Sequence, residues 1–201
     1  MMRMIAGLFV AAVPAIAVAQ APANPPVRVR GTIEKLDGQN LVIKERNGQR
    51  VSIKLADKFM VVGIFKGSAA DIASGKFIGT TTVGERDGAL VAQEVHIFPE
   101  SMRGTGEGHY DWDLRPDSKM TNANVAGVVN MANDRVMTVQ YKGGEEKILV
   151  STATVVVTYA PVDKGELKPG APVFVVSQKQ PDGSLSAARV NVGMNGQVPP
   201  M

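Results

Sequence analysis

Two stretches of about seventy residues carry the same punctuation, and that repetition limits the fold more than any other feature of the chain. Gly31 and Gly127 lie 96 positions apart, as do Gly48 and Gly144. Gly75 and Gly170, Asp87-Gly88 and Asp182-Gly183, Ala92 and Ala187, and Val95 and Val190 lie 95 apart. Turns and apolar positions that keep step in this way read as an internal duplication. Between the turns lie the short runs VRVRGTIEKL, LVIKE, RVSIKL, FMVVGIF, KFIGTTTVGE and ALVAQEVHIF, the first of which alternates apolar with polar while FMVVGIF is apolar throughout. The later copy runs ANVAGVVNM, RVMTVQY, EKILV, TVVVTYA, APVFVVSQK and LSAARVNV. Alternation of period two with β-branched residues predicts strands. Asn47-Gly48 predicts a type I′ hairpin turn. SAADIASG predicts one helical turn closed by Gly75, and KGELKPG takes its place in the later copy. The expected fold is all-β: two tandem repeats, each a small six-stranded barrel of OB or SH3-like kind, joined by an irregular connector.

The ends of the chain read differently. Residues 1–19 have Arg3, an apolar run from Ile5 to Ile16 and the small-residue site Ala17-Val18-Ala19. That is the pattern of a secretory signal peptide, and the run is shorter than the ~20 residues a membrane-spanning helix needs. Residues 20–26 form a Pro-rich leader, 27–97 the first barrel, 98–122 the connector, 123–193 the second barrel and 194–201 a flexible tail. There is no cysteine, so the expected exported fold holds without disulfides. The expected location is the periplasm or the medium, with no membrane span after cleavage near Ala19.

The two copies share G-x-V/I, then L/M-x-V/I, then L/I-x-x-G-x-x-V/I, then DG-x-L-x-A-x-x-V. The first copy carries this on Gly31, Ile33, Leu41, Ile43, Ile72, Gly75, Ile78, Asp87, Gly88, Leu90, Ala92 and Val95. The second carries it on Gly127, Val129, Met137, Val139, Leu167, Gly170, Val173, Asp182, Gly183, Leu185, Ala187 and Val190. The pattern resembles the DUF5666 family of exported bacterial β-domains. The resemblance covers both copies and not the connector. Its residues are turn and core residues, so it implies a fold and no chemistry.

The rare residues cluster in the connector. EGHYDWDL, residues 107–114, holds His109, one of two histidines, and Trp112, the single tryptophan. Strict alternation puts Glu107, His109, Asp111 and Asp113 on one face and Tyr110, Trp112 and Leu114 on the other. The aromatic face is expected to dock on a barrel or over the seam between barrels. His96 and Glu94 share a face at the end of the first copy and are placed to join the polar row. Arg103 and Arg115 are expected to pair with Glu107 or Asp113.

These residues support two readings. The first is a non-catalytic binding or interaction module, with Tyr110, Trp112, Arg103 and Arg115 on the contact surface and a periplasmic or envelope protein as partner. The alternative is a protein that binds a divalent metal ion through His96, Glu107, His109, Asp111 and Asp113. Enzymatic activity is not expected, because no G-x-S-x-G serine and no cysteine nucleophile is present. RGTGEG lacks the following Gly-Lys-Ser/Thr of a phosphate loop. Nucleic acid is not an expected partner: 22 Lys plus Arg against 19 Asp plus Glu give a net charge of only +3. Phe59, Phe65, Phe77 and Phe174 lie in apolar runs and read as core, not as stacking platforms.

Overall fold

The computed structural model describes residues 25–201, so the expected signal peptide at 1–19 and the expected leader as far as residue 24 lie outside the described residues. The strands are β1 (Val27–Asp37), β2 (Asn40–Glu45), β3 (Arg50–Lys66), β4 (Phe77–Arg86), β5 (Ala89–Ile97) and β6 (Gly108–Asp111). They continue as β7 (Ser118–Asn130), β8 (Arg135–Tyr141), β9 (Gly144–Val150), β10 (Val155–Pro161), β11 (Pro172–Lys179) and β12 (Leu185–Gly193). The helical pieces among the described residues are three-residue 3-10 turns at Ala69–Asp71, Glu100–Met102 and Lys164–Glu166. None of them is long and apolar enough to cross a membrane.

The all-β character follows from the alternation. In β2, Leu41 and Ile43 are buried while Asn40 and Lys44 face water. Ile53 and Leu55 in β3, and Met137 and Val139 in β8, repeat that pattern. Asp87 and Gly88 both have positive φ, the backbone a type I′ turn requires, and they join β4 to β5. At the expected type I′ site, Gly48 alone has positive φ and its N–H donates to the Glu45 carbonyl at 2.9 Å. That turn is a longer loop with a single left-handed residue.

Closure departs from the expected two self-contained barrels. β1 pairs with β2 and β11, β2 with β3, and β11 with β12. β12 returns to β3 in parallel, so these strands close a five-stranded barrel. The remaining run is β5-β4-β7-β8-β9, in which β5 meets β9 through Leu90–Ile148 and Val91–Leu149. Each ring therefore takes three strands from one sequence unit and two from the other. The divisions 27–97 and 123–193 do not match the closed units, and the rings have five strands where six were expected. The cause lies in β3. RVSIKL and FMVVGIF, expected as separate strands, run on as one strand of 17 residues. It leads the chain away from the first ring before β4 starts. The open edge of β1 is then satisfied by β11, which arrives late in the chain.

β10 ties the rings together, antiparallel to β3 and parallel to β5. At the middle of the β3–β10 ladder Ile64 faces Tyr159, 95 positions on. Val61–Val190 in one parallel ladder and Val156–Val95 in the other are related by the same offset. One core fills the first ring around Leu41, Ile43, Ile53, Val175 and Val190. A second lies around Ile78, Val95, Met137, Val139 and Ile148. A third, smaller one sits at the junction: Val62, Ile64, Val157, Tyr159, Phe174 and Met201.

Met201 is a surprise in that group, because residues 194–201 were expected to be flexible. Instead Pro199 and Met201 are buried. Arg30 Nε donates to the Met201 carbonyl at 2.7 Å, and Arg46 Nη2 to the Pro199 carbonyl at 3.4 Å. Arginines more than 150 positions away, on and just beyond the first hairpin, hold the tail down.

Candidate functional site

The connector leaves β5 at Ile97 and returns as β6, which pairs antiparallel with the start of β7 from Gly108–Asn122 to Asp111–Lys119. Its last residues, from Ser118, are part of β7, so it is more ordered than the irregular segment expected. Alternation holds as far as Asp111, where β6 stops. A turn through Asp117, at φ 60°, then reverses the chain.

The polar row that was the candidate metal site is dispersed. Glu107 Oε1 accepts from the Lys142 amide at 3.0 Å. His109 Nδ1 lies 2.8 Å from Thr121 Oγ1, and its ring stacks on Tyr141. Asp111 pairs with Lys119, whose hydrogen bond holds its carboxyl below the usual range. Asp113 swings to β1, where Arg30 donates to both its oxygens at 2.7 and 3.2 Å and Arg28 lies at 3.7 Å. Partial burial works against ionisation there, yet the two arginines keep the Asp113 carboxyl below its ordinary value. His96 is buried elsewhere, beside Glu94. Among the described residues no three His, Cys, Asp or Glu side chains group as a metal site. The five expected ligands are not brought together: Glu107, His109, Asp111 and Asp113 each take a different partner, and His96 is buried beside Glu94.

The two arginines of the expected contact surface also go elsewhere. Arg103 pairs with Glu100, not with Glu107 or Asp113, and it donates to Asn124 and to the Gly75 carbonyl. It is a clamp that fixes the connector to the second ring. Arg115 is exposed and forms no ion pair among the described residues.

Tyr110 and Trp112 do reach the seam between the rings. There they roof a cleft of about 320 Å³. Its walls are aromatic. Trp112 sits edge-on to Tyr110 and to Phe174, with ring centroids 6.2 and 6.4 Å apart. Phe98 meets Tyr159 at 5.0 Å and 82°, and His96 stacks on Tyr159 at 5.7 Å. The aromatic faces are interrupted by polar groups from both rings. Arg28 lies over Trp112 at 3.9 Å from the ring centroid. Arg189, Asn191 and Asn122 complete the lining, and Met201 closes one end.

Several of these polar atoms lack partners. Arg28 Nε, Trp112 Nε1, Asn122 Oδ1 and Asn191 Oδ1 are buried without a hydrogen bond. Asn191 is 3% exposed and Asn122 8%. The Asn191 amide nitrogen donates to the Phe174 carbonyl at 3.1 Å, which aims Oδ1 away from that strand. Arg189 has no carboxylate within ion-pair reach among the described residues, and burial lowers the basicity of its guanidinium. Buried polar groups are almost always satisfied, so several orphans in the lining of one cleft set this seam apart from the rest of the fold.

Behind the cleft lies a buried polar knot. Glu94 and His96 are each 1% exposed. Thr81 donates to Glu94 Oε1 at 2.6 Å. His96 Nε2 is 3.1 Å from the same oxygen, but too far off line for a hydrogen bond, and Glu94 Oε2 has no partner. Burial pushes the Tyr159 hydroxyl well above the usual tyrosine range, and the Glu94 charge adds to the shift. That hydroxyl donates to Met201 Sδ at 2.9 Å.

No protein-family model, curated protein or solved structure matches the chain. The likeness to the DUF5666 pattern rests on turn and core residues, with Val129 exposed on its strand. Of the cleft, the sequence pointed to Tyr110, Trp112 and His96. It did not point to Arg28, Arg189, Asn191, Phe174 or Met201. One signal was available: position 94 is Glu and position 189, its counterpart 95 residues on, is Arg. An otherwise matched pair of strands changes charge at that position.

Proposed function

We propose that the chain is an exported, non-catalytic binding module whose site is the cleft beneath the connector. The carrying observation is the convergence of orphaned buried polar atoms on an aromatic-walled hollow at the seam of two rings. Hollows of this size with few, placed polar groups suit small ligands. A concave site of about 320 Å³ favours a compact ligand over a flat protein face. Residues 1–19 support delivery to the periplasm, where an envelope protein remains the expected macromolecular partner. We also infer that the two halves arose by duplication and exchanged strands, and the recurrent offset of 95 supports this. In that reading each ring is a small OB or SH3-like barrel completed by its neighbour.

The experiment uses the single tryptophan. Emission of Trp112 and the thermal midpoint are followed while pooled small molecules, grouped by charge and size, are added to the full chain. Binders are expected to change Trp112 emission in wild type and to lose at least about tenfold in affinity in Trp112→Ala. If every binder found holds equally well to Trp112→Ala, the site is not this cleft.

A further inference from the structure

We propose that the cleft takes a small aromatic carboxylate that also carries a hydroxyl or amino donor. This rests on the reading of the cleft as a binding site and narrows it to a chemical class.

The walls dictate the body. Trp112, Phe174, Phe98 and Tyr159 surround the hollow with rings tilted 62° and 82° to one another. Edge-on neighbours leave a slot that a flat ring fills with favourable tilted contacts. A branched aliphatic body of equal volume leaves those edges uncovered.

The donors dictate the charge. Arg28 Nε and Trp112 Nε1 are N–H groups without acceptors. Arg189 adds a guanidinium with no hydrogen bond among the described residues. A planar fork of N–H groups matches a carboxylate through two parallel bonds. Among the described residues no carboxylate lines the hollow, whereas Arg28 and Arg189 do. Asp113 is held by Arg30 outside the lining, and Glu94, which accepts from Thr81 on one oxygen only, lies behind the wall. The charge lining the hollow is therefore positive.

The acceptors dictate the second group. Asn191 Oδ1 and Asn122 Oδ1 need a donor, which a carboxylate lacks. Arg189 and Asn191 lie two apart on β12, so their side chains leave the same face ~7 Å apart. That spacing is about the span of one benzene ring with substituents at opposite ends. A para-substituted aryl acid satisfies the fork and the amide together.

The test titrates the full chain with 4-hydroxybenzoate and 4-aminobenzoate. Their neutral amides, benzoate, cyclohexanecarboxylate and inorganic phosphate run beside them. Calorimetry and Trp112 emission read the binding. The acids are expected to bind at least about tenfold more tightly than the amides, and Arg189→Gln is expected to erase that preference by weakening the acids far more than the amides. Arg28→Gln is the second variant should Arg189→Gln misfold, and Arg189→Lys should restore part of the preference. If amides and acids bind equally in wild type and in both variants, the cleft binds but the anion class is wrong. If phosphate or cyclohexanecarboxylate binds as well as the aryl acids, the aromatic body is wrong. If none of the aromatic probes binds, this class falls, and the cleft reading falls with it only if the pooled screen also yields no binder that depends on Trp112.

Discussion

The two rings share one pairing scheme and differ where they meet. In the first ring Gly31 is jammed: a Cβ there would sit 2.1 Å from the Lys44 carbonyl oxygen. Its counterpart Gly127 has nothing within 4 Å. β3 runs unbroken, while the matching stretch of the second half breaks at a Ser151–Thr154 turn into β9 and β10. At the junction the contrast sharpens. Thr81, Glu94 and His96 on one side stand opposite Val176, Arg189 and Asn191 on the other, each 95 positions on. One side holds a buried acid with its partners. The other holds a half-buried cation without any. The two halves keep turn and core positions at a common offset and differ at the seam, where the hollow has two unlike walls.

The largest test of this contrast is steric. Gly31→Ala drives a methyl into backbone and is expected to cost about 3 kcal/mol in chemical denaturation. Gly127→Ala should stay within about 1 kcal/mol of wild type, on the stabilising side. Equal effects would erase the difference between the rings.

Thr81→Val gives the first wall the residue of the second. It removes a 2.6 Å hydrogen bond from the buried Glu94 carboxyl and should cost about 2 kcal/mol. A neutral result would mean that the acid does not depend on Thr81. Arg189→Met works in the opposite direction. It keeps the apolar stem and removes a charge that burial leaves unpaired, so stability should rise by about 1 kcal/mol while aryl-acid binding disappears. A loss of stability would show that the guanidinium serves the fold.

Tyr159, opposite Ile64, gives a smaller effect that depends on pH. Its hydroxyl is held neutral in the fold, with a pKa raised above the unfolded value. The stability it contributes is fully present below the ordinary tyrosine pKa and is lost as pH rises through the raised one. Tyr159→Phe should flatten that alkaline limb in a denaturation series, and an unchanged limb would assign it to other groups. Smallest of all should be the response to metal ions. Zinc, copper, nickel, manganese or calcium should leave the Tm of wild type and His109→Ala alike, because the polar row is already paired. A midpoint raised in wild type alone would restore the metal reading.

Local structure was legible in the residues because it depends on neighbours. Alternation placed the strands, Asp87-Gly88 placed a tight hairpin, and Trp112 marked the segment that roofs the cleft. Partner choice was not legible. Nothing near Val27 says that its strand pairs with Ser177. The metal row failed for the same reason: the Asp113 partners lie on β1, 83 positions away in the case of Arg30. A face drawn from alternation assumes one continuous strand, and β6 ends at Asp111. Orphaned atoms such as Asn191 Oδ1 are a property of packing and leave no trace in a pattern.

The exchange of strands also sets a timetable. The first ring closes only when β11 and β12 arrive, and Val27 waits for Ser177 across 150 positions. Closing so long a loop adds only slowly to the entropic cost, as the logarithm of its length. Dependence on distant contacts is instead felt in rate, since folding slows as pairing becomes less local. The second ring uses only strands between β4 and β9 and is complete once Val150 has been made, so a nascent or threading chain can finish that unit early. The first ring stays open until the last thirty residues are available, and it locks in a late step.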